Sequence, residues 1–307
     1  MTATFRIGTR GSPLAIAQTE IVASTLRARH PKISFGIVPI RTHGEEGNPR
    51  DLGMGLDSKR AFTKRIEDAL LDGRIDAAVH SLKDLPAELG QGLVLGAVPI
   101  RTQPWDALIS RNGQTLERLP LRAQIGTSSL RRRSQLLAFR DTFVVEELRG
   151  NIGTRLRKLD EGVLDAIVLA AAGLERLGLQ DRISQLLPVD VMTPAIGQGA
   201  LAVEVRRDDG DALAVVEGID DPKTRAETDA ERGVARALGG GCNVPMGAFA
   251  LANGQTILLH AMIGSPDGRL VVRAKETGPS PAEVADRVVR QLRAAGGERV
   301  LLERDLP

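Results

Sequence analysis

The chain has 307 residues, 42% of them apolar, a formal net charge of +2 and one cysteine. Such a length allows two or three domains, each large enough for its own core. The charge is too small for a general nucleic-acid or membrane-surface binder, and the absence of tyrosine with only one tryptophan leaves few platforms on which bases could stack.

A lone cysteine can form neither an internal disulfide nor a thiolate metal cage, so no metal site is expected. No run of about 18 apolar residues exists, and Met1-Thr2-Ala3-Thr4-Phe5 leads into polar sequence rather than a signal-peptide core, so the expected location is the cytoplasm. Only seven of the 41 basic residues are lysine. Arginine is the better fork for carboxylates and phosphates, although coding bias toward arginine explains the ratio equally well.

In chain order, residues 5–8 read as a short strand, then Thr9-Arg10-Gly11 and a helix capped by Ser12 with Pro13 in its first turn. Leu14, Ala17, Ile21, Val22 and Leu26 keep helical spacing to about residue 29. A strand is expected over 33–40, and a long loop over 42–58, rich in Gly, Asp and Glu, is expected to be mobile. A helix over 61–72 stops at Gly73 before a buried strand over 75–79. The polar run His80-Ser81-Leu82-Lys83-Asp84 follows at that strand's carboxyl end, where open α/β sheets bind ligands, and Asp84 is the candidate catalytic residue.

A second domain begins near Arg101, because Ile125-Gly126-Thr127-Ser128-Ser129 echoes Ile7-Gly8-Thr9-Arg10-Gly11-Ser12. Asp165-Ala166-Ile167-Val168 then echoes Asp76-Ala77-Ala78-Val79 in the same order. Two matches in register point to two related βα domains. Ala200-Leu201-Ala202-Val203 can return to the first sheet, which gives two crossings, near Pro99 and Pro194. Residues 221–238 are helical, strands are expected over 247–251, 257–263 and 269–274 with turns at Asn253-Gly254 and Pro266-Asp267-Gly268, and a closing helix over 281–295. The expected architecture is therefore α/β in three domains: 1–99 with 195–217, then 100–194, then a small α+β domain over 218–307 with an antiparallel sheet.

Between that last long helix and its sheet stands Gly239-Gly240-Gly241-Cys242. Glycines leave the sulfur uncovered, the setting of a tether, although a free cysteine also serves as a small buried hydrophobe. Arg131, Arg132 and Arg133 follow Ser129 at a helix start, where the dipole already carries positive charge. A bound anion is the better explanation for them, with an intramolecular acidic partner or a solvated face as the alternatives. Arg149 and Arg155 repeat the theme around Gly150-Asn151, and with Arg10 they suggest a cleft that clamps several carboxylates.

Four stretches together resemble the hydroxymethylbilane synthase (porphobilinogen deaminase) family: His80-Ser81-Leu82-Lys83-Asp84-Leu85-Pro86, Gly126-Thr127-Ser128-Ser129-Leu130-Arg131-Arg132, Arg149-Gly150-Asn151-Ile152-Gly153-Thr154-Arg155 and Gly240-Gly241-Cys242-Asn243-Val244-Pro245. The match spans essentially the whole chain. It implies a monomeric transferase that condenses four porphobilinogen molecules into linear hydroxymethylbilane with loss of ammonia, in tetrapyrrole synthesis. It implies that the first two domains are similar to the lobes of type II periplasmic-binding proteins. It implies a dipyrromethane cofactor joined to Cys242 through a thioether, with Lys83, Asp84, Ser129, Arg131, Arg132 and Gly150 at the cofactor and Arg10, Ser12, Lys59, Arg149, Arg155 and Arg176 at the substrate carboxylates. Asp84 is then the group that bonds pyrrole N–H groups and offsets the cation left by the departing amine. The loop before Lys59 lacks a lysine that many relatives carry, and Phe62, at the family's aromatic contact, also suits simple core packing. A two-lobed ligand sensor would use the same arginines but gives Cys242 no role, and a nucleic-acid binder built on Arg131 to Arg133 fits the low net charge poorly.

Overall fold

The structure is a computed structural model that describes residues 4–40, 56–239 and 244–303, with side chains left out at 56–62 and 302–303. The expected loop at 42–58 falls almost entirely outside the described residues, as do Cys242 and the side chains of Lys59 and Phe62. The chain divides into two compact units, residues 1–101 with 200–225 and residues 102–199 with 226–307. The expected domains 100–194 and 218–307 thus fall mostly in one unit, and residues 218–225 join the other.

The first unit is a five-stranded mixed sheet with helices on its faces. Its elements are β1 (Phe5–Arg10), α1 (Pro13–Arg29), β2 (Phe35–Ile40), α2 (Leu56–Leu71), β3 (Ala77–Ser81), β4 (Leu93–Ala97), β10 (Leu201–Arg206) and α6 (Gly210–Glu217). The strand order is β2-β1-β3-β10-β4, with β10 antiparallel to both neighbours. Ser12 Oγ accepts from Ala15 N and Pro13 opens the first turn, while Arg27 and Arg29 sit at the end where the helix dipole favours cations. Gly73 (φ +67°) ends α2, and Arg74 N donates to Ala69 O, the six-to-one bond of a glycine C-cap. One core layer joins Val22, Ala23 and Leu26 of α1 to Ile7, Ala77 and Val203 of the sheet. Strand β3 starts and ends two residues later than the 75–79 expected, because pairing with β10 carries the ladder on to Ser81.

The second unit holds a sheet of the same design. Its strands are β5 (Asp106–Ser110), β6 (Gln124–Gly126), β7 (Val144–Glu146), β8 (Ala166–Ala170) and β9 (Gln185–Leu186), in the order β7-β6-β8-β5-β9 with β5 antiparallel to β8. Three helices belong to it, α3 (Leu130–Phe139), α4 (Ile152–Asp160) and α5 (Ala171–Arg176). The sequence echoes become equivalent contacts: Ile7 pairs with Ala77 and Ile125 with Ala166. The matching aspartates do the same work, since Asp76 accepts from Arg6 N at 2.7 Å and Asp165 from Gln124 N at 2.8 Å. In both sheets the antiparallel strand is the one that follows a crossing of the chain. The two mixed sheets thus share one strand order, with a single antiparallel strand set beside the parallel ones.

A three-stranded antiparallel meander completes the second unit, formed by β11 (Met246–Asn253), β12 (Thr256–Gly264) and β13 (Val271–Gly278). Helix α7 (Pro222–Ala237) leads into it and α8 (Pro281–Leu292) packs on it, with Val284, Val288 and Leu292 in the same core as Leu259, Ile263 and Val272. Asn253 pairs with Thr256, so the hairpin loop is Gly254-Gln255 rather than Asn253-Gly254. Gly254 at φ +60° supplies the positive angle that a two-residue hairpin needs at its first position.

Candidate functional site

In the first unit the candidate residues lie where β1 and β3 end. Arg10 closes β1 and Ser12 caps α1, so the Ser12 hydroxyl already serves the helix. A single turn of tight helix, Leu82–Asp84, follows β3 directly and carries Lys83 and Asp84, both half-buried. It is anchored by Leu82 N donating to Ala200 O at 3.0 Å and Leu85 N to Leu82 O at 3.1 Å. Just before it, Ser81 and Gln18 exchange side-chain hydrogen bonds at 2.8 and 3.2 Å. Asp84 therefore stands on a short, pinned segment at the carboxyl end of a buried strand, the position from which open sheets serve ligands.

In the second unit the arginines gather around one carboxylate that the sequence did not single out. Asp106, the first residue of β5, is fully buried, and Arg131 and Arg132 are 5% and 6% exposed. Arg131 Nη1 and Nη2 donate to the two Asp106 oxygens at 2.7 and 3.2 Å, and Nη1 also donates to Thr193 O at 2.6 Å. Arg132 Nε donates to Asp106 Oδ1 at 2.8 Å, and its Nη1 to Val168 O at 2.9 Å. Burial alone would raise the Asp106 pKa, yet the two guanidinium charges and their hydrogen bonds hold it well below the usual carboxylate range. The puzzle of cations at a helix N-terminus thus has an intramolecular answer, an acidic partner reached across 25 residues of sequence. Ser129 caps the same helix, accepting from Arg132 N.

Arg155 stands close to this pair. Its Nε donates to Gly150 O at 2.7 Å, and burial followed by the like charge of Arg132 pulls its pKa down. Gly150 adopts φ +115°, and a Cβ there would lie 2.9 Å from Thr154 Cγ2, so glycine is required to turn that carbonyl toward Arg155. Arg176 is half-buried and donates to Gly199 O at 2.7 Å, and burial lowers its pKa to about 10, which leaves it charged at neutral pH. Arg149 is different, being exposed and paired with Glu147 at 2.7 Å. Arg131, Arg132, Arg155 and Gly150 are therefore brought together with Ser129, whereas Arg149 is turned to a surface partner. Among these four buried or half-buried arginines, Asp106 is the one carboxylate that the described ion pairs supply.

Sequence reading passed over Asp106 and Glu204. Each is a charge set in an apolar run, Asp106-Ala107-Leu108-Ile109 and Leu201-Ala202-Val203-Glu204-Val205, and each is 0% exposed. A charge at a position whose neighbours are all core is itself the signal that a buried partner must exist. Among the described residues no group of His, Cys, Asp and Glu is arranged to hold a metal, and no helix is long and apolar enough to cross a membrane.

Comparison with known proteins gives the family. Residues 5–214 match the family model of the porphobilinogen deaminase dipyrromethane-cofactor-binding domain, and residues 226–294 match that of the porphobilinogen deaminase C-terminal domain. Porphobilinogen deaminase of Desulforudis audaxviator is 49% identical over 296 residues, covering 95% of each chain. That of Brevibacillus brevis is 48% identical over 303 residues, 97% of each chain, and that of Roseiflexus castenholzii is 46% identical over 297 residues, 96% of this chain and 97% of its own. With both family models matched in order along the sequence and full-length relatives near half identity, the chain belongs to the porphobilinogen deaminase family.

Proposed function

We propose that this enzyme condenses four porphobilinogen molecules head to tail into linear hydroxymethylbilane, releasing one ammonia per addition, on a dipyrromethane joined through a thioether to Cys242. The observation that carries the reading is the cluster of Arg131, Arg132 and Arg155, in which Arg131 and Arg132 share Asp106 as counter-charge while Arg155 feels the like charge of Arg132. Such a cluster has the chemistry of a polycarboxylate site. A dipyrromethane, with an acetate and a propionate on each ring, fits it. Burial and the like charge of Arg132 both disfavour the charged form of Arg155, an arrangement that an added carboxylate would relieve.

When bound, the dipyrromethane supplies the nucleophilic pyrrole carbon on which the product grows. Arg131, Arg132 and Ser129 would hold its carboxylates, with Gly150 setting the approach of Arg155. Lys83, Arg10, Ser12, Lys59, Arg149 and Arg176 would receive the carboxylates of incoming units. Asp84 would accept the substrate pyrrole N–H and offset the positive charge that develops as the bond from methylene carbon to nitrogen breaks and ammonia leaves. The same carboxylate can take up the ring proton released when the new carbon–carbon bond forms. We extend the reading to a cytoplasmic monomer and to the domain limits 1–99 with 195–217, 100–194 and 218–307.

The test is the intact mass of denatured, freshly purified protein. An adduct of two pyrrole units is expected, and it should be missing in Cys242→Ser together with turnover. A bare mass in active protein would end the reading.

A further inference from the structure

Strand β3 and its antiparallel neighbour β10 enclose a second buried ionisable pair, with no part in the reaction described so far. His80 lies opposite Ala202 and Glu204 opposite Ala78, so the register puts these four side chains on one face of the sheet. Ile66, Ala69 and Leu70 of α2 cover that face at Ala78. Glu204 is 0% exposed and His80 7%. His80 Nε2 lies 3.1 Å from Glu204 Oε2, and among the described residues no hydrogen-bond donor is aimed at either Glu204 oxygen. Glu67 of α2 faces the pair. Burial raises its pKa, Thr63 opposes that through a hydrogen bond, and the charge of Glu204 raises it further.

Such a pair is an expensive way to fill a core. Burying ionisable groups costs more than their attraction returns unless the geometry is very good, and well-packed apolar residues of similar volume are usually as stable or more stable. Stability therefore does not account for histidine and glutamate here. What the pair has and an aliphatic contact lacks is a polar attachment between two named atoms, His80 Nε2 and Glu204 Oε2, 3.1 Å apart across the two strands.

Its place in the chain shows what that attachment would serve. His80 is followed at once by Ser81, tied to α1 through Gln18, and by the turn Leu82–Asp84, tied to Ala200 just ahead of β10. Both ties act on the last residue of β3 and the turn that follows it, and the polar pair joins this strand end to β10 itself. We infer that His80 and Glu204 are positioning residues that hold the end of β3 so that the turn 82–84 presents Asp84 to the reaction. This inference rests on the reading that Asp84 serves the condensation. A displacement of about 1 Å at a reacting group is enough to cost roughly 10²-fold in rate.

The double variant His80→Leu/Glu204→Leu in the cofactor-loaded enzyme separates positioning from support. The expected result is an unfolding midpoint at or above that of the parent, an unchanged adduct mass, KM within about threefold and kcat lower by about 10²-fold. Should the double variant not fold, Glu204→Gln, which keeps the shape and one acceptor, carries the same test with a smaller loss of kcat. In an Asp84→Asn background the pair substitution should cause no further loss, because both act on one step. Normal kcat in the pair variants, or a lowered midpoint with kcat untouched, would overturn the inference, and so would a loss that adds in full to that of Asp84→Asn. Full turnover in Asp84→Asn alone would instead remove the reading beneath it.

Discussion

Replacing Asp106 by asparagine keeps the shape of the side chain and removes the one charge that Arg131 and Arg132 share. In the parent, a carboxylate with no exposed surface receives hydrogen bonds at 2.7, 2.8 and 3.2 Å from two guanidinium groups. The asparagine amide offers one oxygen and turns N–H donors toward N–H donors, so two buried cations are left facing each other. Breaking a buried pair in this way costs about 3–5 kcal/mol, which for a unit of this size is a fall of roughly 6 to 20 °C in the unfolding midpoint. The pH dependence follows from the direction of the Asp106 shift. Its folded pKa lies below the unfolded one, so the stabilisation is complete above about pH 4 and fades as the pH falls through the folded value. Parent and variant should therefore differ most near neutrality and converge in acid. The assay is thermal unfolding of both proteins across that range, with intact mass to read retention of the cofactor by the two arginines. A gap below about 1 kcal/mol at pH 7, or one that does not shrink in acid, would refute the assigned role of Asp106.

Three other outcomes are expected. Asp84→Asn should retain the adduct mass while kcat drops by about 10²–10⁴-fold, and near-normal turnover would take Asp84 out of the chemistry. Gly150→Ala forces a side chain onto φ +115° and against Thr154, at a cost of about 1–3 kcal/mol, and by moving the Gly150 carbonyl it should also raise KM through Arg155. Arg149→Leu removes an exposed arginine paired only with Glu147 in the described structure, so the unfolding midpoint should stay within about 0.5 kcal/mol of the parent while cofactor assembly or chain growth stalls. Normal product yield from that variant would separate Arg149 from the substrate.

Much of the scaffold was legible because its signals are local. Ser12 with Pro13, and Ser129, announce helix starts that both appear as capped N-termini, and the paired echoes of Ile-Gly-Thr and Asp-Ala-Xaa-Val become equivalent strand contacts. The turn carrying Lys83 and Asp84 was legible for the same reason, since a polar run directly after a buried strand can only emerge at the sheet's edge. What escaped is what depends on pairing between distant segments. Periodicity could not show that β3 runs on through His80 and Ser81, because the residues that extend it belong to β10, over a hundred positions away. Nor could it choose among a ligand, a solvated face and an acidic partner for Arg131 and Arg132. That choice is made by residue 106, on a strand with no local reason to be next to them.

The two missed carboxylates have a common topological origin. In each mixed sheet one strand runs against its neighbours, β10 in the first and β5 in the second, so it begins where the parallel strands end. Leu201 pairs with Ser81 at the finish of β3, and Asp106 with Ala170 at the finish of β8. Residues that open an antiparallel strand are thereby delivered to the edge from which the parallel strands send out their site loops, while remaining inside the core. A carboxylate set there can orient cations at that edge without meeting solvent. Asp106 does so from the first position of β5 for Arg131 and Arg132, and Glu204 meets His80 from three residues further in. The same placement predicts which substitutions are mild. Along β5, Ala107 and Leu108 pack between strands with no polar duty, so exchanges there that conserve volume should cost less than about 1.5 kcal/mol and leave cofactor retention intact. A charge-conserving Asp106→Glu should behave otherwise, retaining the counter-charge but pushing it one methylene toward the guanidinium groups. Stability should then recover further than turnover, and equal recovery of both would show that the carboxylate neutralises the arginines without aiming them.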